Sequence, residues 1–136
     1  YQKAVLKSRM AQIYAWMNHA SREAELFYMA NGRYPQNFFE MGVEIPGCTI
    51  TETSMDLCSG NKELNFVEIS NNTIQFAMKR MGGRIIYFFR RYNQNYGEGL
   101  FCAPYGVESL KEFCRSIGAV RPAANKWMGY EIYHID

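Results

Sequence analysis

Residues 1–35 read YQKAVLKSRMAQIYAWMNHASREAELFYMANGRYP, and their spacing predicts one long helix. Leu6, Met10, Ile13, Met17, Ala20, Ala24 and Phe27 recur at alternating intervals of four and three, which sets them on one helix face. Lys7, Asn18, Arg22 and Glu25 fall off that stripe and can face water. No Gly or Pro interrupts the run before Asn31-Gly32. There Gly can take the left-handed C-cap conformation, and Pro35 follows. A helix of about 30 residues runs roughly 45 Å, which is long for a chain of 136 residues. Tyr1-Gln2-Lys3 offers no Ser, Thr, Asp or Asn cap. The expectation is that the native helix continues upstream of Tyr1; a frayed terminus is the alternative.

After this helix the period changes. Residues 32–63 read as a connecting loop punctuated by Pro35, Gly42, Pro46, Gly47 and Gly60. Phe38 to Met41 can make one helical turn. From Leu64 apolar residues alternate, with Asn65, Val67 and Ile69 on one side and Leu64, Phe66 and Glu68 on the other. Asn71-Asn72 is a two-residue hairpin turn, since Asn tolerates positive φ. A second strand runs through Ile74, Phe76 and Met78, and Met81-Gly82-Gly83 makes the next turn. Arg84 to Arg91 is a third strand, apolar on both faces in its middle and therefore central. Residues 92–99 are loop, 100–102 a short strand, 107–117 a short helix, and 129–135 a fourth strand. The expected fold class is α+β: a long N-terminal helix on a roughly four-stranded antiparallel sheet, in one domain spanning 1–136. The parts are 1–31 (helix), 32–63 (connector) and 64–136 (sheet and C-terminal region).

The composition, 48% hydrophobic and 21% charged, is that of a globular chain. Fifteen basic against thirteen acidic residues leave a net charge of +2, too little for a dominant nucleic-acid or anionic-membrane surface. No apolar run is longer than Ile85 to Phe89, which cannot span a bilayer or serve as a signal-peptide core. Four cysteines suggest two disulfides and an oxidising compartment. Of three pairings the local ones, Cys48–Cys58 and Cys102–Cys114, are preferred, because each closes a loop with little core of its own. Four reduced, buried thiols remain the alternative.

Little else in the sequence carries chemistry. Cys48-x9-Cys58 and Cys102-x11-Cys114 lack zinc-ribbon or redox spacing. His19 and His134 have no partner at a defined spacing, no G-x-S-x-G elbow occurs, and Gly97-Glu98-Gly99 lacks a strand–helix context. No catalytic residue, metal ligand or cofactor is assigned. Lys79, Arg80, Arg84, Arg90 and Arg91 interleave with aromatics and could form a weak ligand patch at Arg84, Arg90 and Arg91. Arg90 and Arg91 alternate across a strand, however, so nucleic acid is not the expected partner. The long helix is more informative. It should project past a four-stranded sheet, exposing Val5, Leu6 and Met10 in the segment from Tyr1, which suggests helix–helix assembly.

The stretch Glu25-Leu26-Phe27-Tyr28-Met29-Ala30-Asn31-Gly32-Arg33-Tyr34-Pro35 resembles the end of the long helix in type IV pilins and the pseudopilins of type II secretion, where an xNGxYP stretch leads into the loop before the sheet. Tyr1 to Arg9 looks like the segment that follows their hydrophobic half-helix. Cys102 and Cys114 resemble the C-terminal disulfide bounding a variable loop in many type IV pilins. The resemblance covers the order of elements, but only residues 1–35 match closely. It implies a non-catalytic subunit, cleaved and methylated at its N-terminus, anchored in the inner membrane by an upstream helix missing here. The subunit would then self-assemble with like subunits into an extracellular filament at the bacterial surface serving adhesion or motility. A minor pilin or a pseudopilin is the nearest alternative, and a secreted binding module for DNA or a surface ligand the more distant one. Two features depart from the pattern. Residues 118–136 hold only Glu131 and Asp136 as acids, against the Asp-rich calcium loop of major pseudopilins, and Cys48 and Cys58 are an addition.

Overall fold

The computed structural model describes residues 2–79, 84–90, 95–105 and 110–135, with side chains at 11–79, 95–104 and 111–135. The helix α1 (Gln2–Asn31) ends where the Asn-Gly pair predicts. Gly32 stands at φ 74°, and its N–H donates to the Tyr28 carbonyl at 2.8 Å, a left-handed cap. A single turn, α2 (Phe38–Met41), follows. The strands are β1 (Met55–Leu57), β2 (Leu64–Ser70), β3 (Thr73–Met78), β4 (Arg84–Arg90) and β5 (Gly99–Tyr105). After them come α3 (Leu110–Ser116), β6 (Arg121–Pro122) and β7 (Tyr133–His134). Among the described residues the strands form one antiparallel sheet in the order β1-β2-β3-β4-β5-β7-β6. The chain is therefore α+β, with an N-terminal helix and an antiparallel sheet.

The sheet has more strands than the roughly four expected, because β1 and β6 form in stretches that lack an alternating pattern and β5 is a full strand. The strand β1 lies inside the expected connector. The expected strand at 129–135 shrinks to Tyr133–His134: Met128 (φ 49°) and Gly129 (φ 85°) reverse the chain between Trp127 and Tyr130, which pair as an antiparallel bridge. Conversely, the short strand expected at 100–102 extends over Gly99–Tyr105. The helix expected at 107–117 is described over Leu110–Ser116, where Gly118 and Ala119 donate back to Arg115 and Cys114 and end it. The Asn71-Asn72 turn is present with φ 50° and 57°. The turn expected at Met81-Gly82-Gly83 lies outside the described residues.

One correction decides the packing. Strict alternation from Leu64 separates Leu64 from Val67 and Ile69. Instead Leu64 pairs with Met78 and Phe66 with Ala77, so Asn65 is an extra residue in a bulge. That slip brings Leu64 onto the face of Val67 and Ile69, opposite Ile74, Phe76 and Met78 on β3. All six are buried there with Ile13, Met17, Ala20 and Ala24 of α1 and with Phe38 of α2. Each large apolar side chain fully buried this way contributes roughly 1.5–3 kcal/mol.

The other face of the sheet is covered as well. Ala77, Phe101 and Ala103 are buried with Ile132, and Phe66, Tyr96, Ala123 and Trp127 pack around them. The chain after α3 thus folds across the face away from α1. This explains why all six residues of β3 are buried.

Candidate functional site

The stretch most suggestive of function, Phe27 to Glu40, forms a clasp at the end of α1. The Asn31 side-chain amide donates to the Phe27 carbonyl at 2.9 Å. The Arg33 guanidinium lies 5.1 Å over the Phe27 ring and donates to Glu40 Oε2 at 2.7 Å. Tyr34 stacks on Tyr28 with centroids 4.5 Å apart. Pro35 is buried. The Asn37 side chain accepts from the Glu40 N–H at 2.8 Å, capping α2, while its amide donates to the Glu52 carbonyl at 3.0 Å. Each residue of the NGRYP run thus has a geometric role. Asn and Gly end the helix, Arg and Tyr fold the exit back onto it, and Pro seats the turn.

The clasp has its own electrostatics. Hydrogen bonds from Arg33, then from the Gln36 N–H, hold the Glu40 carboxyl below its usual range, and the same pair raises Arg33. Both groups are substantially exposed, so the ion pair orders the exit more than it stabilises the fold.

The disulfides join the preferred local partners. Cys48–Cys58 ties the connector to the end of β1, and Cys102–Cys114 ties β5 to α3. Beside the first, the Gly60 N–H donates to the Gly47 carbonyl at 3.0 Å. Gly47 stands at φ 78° with the Gly60 backbone where a Cβ would lie, so both the conformation and the space require glycine.

The expected assembly residues Val5, Leu6 and Met10 lie in α1, but their side chains and Tyr1 are outside the described residues. The buried α1 side chains that are described (Ile13, Met17, Ala20, Ser21 and Ala24) lie between positions 13 and 24. Past the sheet-facing stripe, Leu26 and Met29 are 56% and 79% exposed. The expected basic patch is not drawn together. Arg84 and Arg90 close opposite ends of β4, pairing with Tyr105 and Gly99 respectively, about 20 Å apart along the strand. Arg91 lies outside the described residues.

Among the described residues no group of three His, Cys, Asp or Glu gathers to hold a metal, and no helix is long and apolar enough to cross a membrane. Asp56 is buried, its Oδ1 accepting from the Thr51 N–H and hydroxyl at 2.9 and 2.8 Å. Those bonds clamp the loop from Thr51 to Asp56, while Oδ2 is buried with no hydrogen-bond partner among the described residues.

Sequence reasoning does not find a polar cleft on the face away from α1, lined by Asn71, Thr73, Gln75, Asn95, Tyr96 and Trp127 among others. The available signal is in β3, where polar Thr73 and Gln75 occupy the alternate positions of a strand between apolar neighbours. No family model, no curated protein and no solved structure matches this chain.

Proposed function

We propose that this chain is the folded head of a filament subunit of the type IV pilin and pseudopilin kind, a structural protein without catalysis. The observation that carries the reading is the end of α1. A 30-residue helix covers an antiparallel sheet, and its NGRYP exit folds back through Arg33, Tyr34 and Glu40 into the connector. The motif and geometry fall at the same point of the chain, where the family places its helix-to-head junction. A disulfide near the C-terminus, Cys102–Cys114, adds to it. In this reading the part of α1 before Ile13 packs with like subunits. An apolar helix upstream anchors the subunit in the inner membrane before it joins a filament outside the cell.

The test is N-terminal sequencing and intact mass of the native protein recovered from cells, with antibody labelling of sheared surface material. The expected result is a run of about 20–25 apolar residues before Tyr1 and label along filaments. A native chain that begins at or near Tyr1 and never sediments with filaments would overturn the reading. Deleting the gene and scoring surface filaments against secreted enzymes separates a pilus from a secretion apparatus.

A further inference from the structure

Two exposed apolar patches lie on opposite sides of the sheet. The first is on the face away from α1, at the edge made by β1 and β2. Asp56 is buried and pairs with Val67, which faces α1, so its neighbours Met55 and Leu57 point the other way. They stand opposite Glu68 and Phe66 respectively, as cross-strand neighbours on one face. Met55 is 43% and Leu57 65% exposed, while Phe66 and Glu68 are half-buried. The chain that crosses this face closes over Ala77, Phe101 and Ala103 and leaves Met55 and Leu57 open to solvent. Among these apolar neighbours Glu68 has lost part of its water, and that burial raises its carboxyl.

The second patch is the back of α1. Ile13, Met17, Ala20 and Ala24 face the sheet. Arg22, Leu26 and Met29 lie half a turn around, at intervals of four and three. All three are exposed, Leu26 at 56% and Met29 at 79%. One patch is thus a cation followed by two apolar side chains, the other a carboxylate beside apolar side chains. Their lengths agree. Arg22 and Met29 are about 10 Å apart along the helix. Glu68 and Phe66 are about 7 Å apart along β2, a difference that the long Arg22 side chain covers. We propose that the β1–β2 edge of one copy docks the back of α1 of a second copy, Glu68 meeting Arg22 while Met55 and Leu57 meet Leu26 and Met29. Each patch supplies the charge and the apolar surface that complement the other. Because the two patches lie on opposite sides of one molecule, the contact cannot close as a two-fold dimer and repeats head to tail. A contact this small is weak between free copies. Subunits tethered by their helices meet at about millimolar effective concentration, which is enough to fill it. The inference deepens the filament reading and rests on it for that tethering.

Sedimentation velocity of this chain from micromolar to millimolar concentration tests the contact. The expected result is a weight-average mass that keeps rising past the dimer. Arg22→Glu and Glu68→Arg should each weaken association on the order of tenfold or more, since like charges then meet. An equimolar mixture of the two variants should recover it. In the mixture the new acid on one helix meets the new base on the other copy's sheet, and the native Arg22 meets the native Glu68. Leu57→Ser, at an exposed position, should weaken association too, and it carries the test if Glu68→Arg does not fold. The proposal is overturned if the unaltered chain stays monomeric throughout, if association stops at a closed dimer, if the mixture behaves as each variant does alone, or if the folded variants associate as the unaltered chain does. A monomeric chain that instead binds phosphatidylcholine vesicles through Leu57 would assign the face to lipid and overturn it as well. The mixing experiment needs no filament, so its failure leaves the filament reading to N-terminal sequencing and surface labelling.

Discussion

Two glutamates show how residue environment sets the sign of an electrostatic contribution. Glu40 meets Arg33 and the Gln36 N–H, so its folded pKa lies below its unfolded one. Its contribution is complete above the unfolded value near 4.5 and is lost as pH falls through the folded value. Glu68, paired across the sheet with Gln75, has burial alone acting on it, which pushes its carboxyl up from 4.5. Its sign is opposite: below the unfolded value nothing is lost, and stability falls as pH rises through the raised folded value. Glu68→Gln should therefore raise the urea midpoint modestly at pH 7 and leave it unchanged at pH 3. Urea titrations of both proteins at the two pH values check this. A gap that persists at pH 3 would show that packing rather than charge separates them.

At the scale of elements, the two disulfides should differ in importance. The helix α3 has seven residues, too short to hold itself in water, and its buried residues Phe113 and Cys114 fix it to the sheet. Cys102–Cys114 closes twelve residues, and replacing both cysteines by serine should cost about 3 kcal/mol. The α3 amides should then exchange ahead of those in β3. The arms joined by Cys48–Cys58 are also held by Gly60 N–H to Gly47 carbonyl and Thr49 N–H to Leu57 carbonyl bonds, so the matching double serine variant should lose less. Equal losses in urea would remove that distinction. The same elements show what sequence makes legible. The helix and its end can be read because seven apolar positions and an Asn-Gly stop agree over thirty residues. The hairpin can be read because Asn71-Asn72 needs positive φ. The strands β1 and β6 cannot, since two or three residues carry no period, whereas the alternation over 129–135 announces β7 but overstates its length. The Asn65 bulge is hidden because one extra residue breaks alternation without leaving a turn signal.

Across the whole molecule, the sheet separates two apolar clusters that the sequence pattern presents as one. The alternation in β3 reads as a strand with one buried side, yet all six of its residues are buried, because the segment that covers the second side is not visible in the pattern. Between Gly118 and Gly129 the chain carries no strong period and contains Pro122, and only 129–135 alternates as a strand would. Yet Ile132 is 1% exposed and closes the far face with Phe101 and Ala103. The cleft escapes a sequence reading for the same reason, since Trp127 and Gln75 meet only once this segment crosses the sheet. This arrangement has a measurable consequence. Ile13 belongs to the cluster under α1 and Ile132 to the cluster opposite, and the two clusters share no side chain among the described residues. Ile13→Val and Ile132→Val should each cost about 0.5–1.5 kcal/mol. The double variant should show their sum within about 0.5 kcal/mol, as independent sites do. Urea unfolding of the four proteins gives the coupling directly. A larger coupling would mean that the sheet transmits strain from one face to the other.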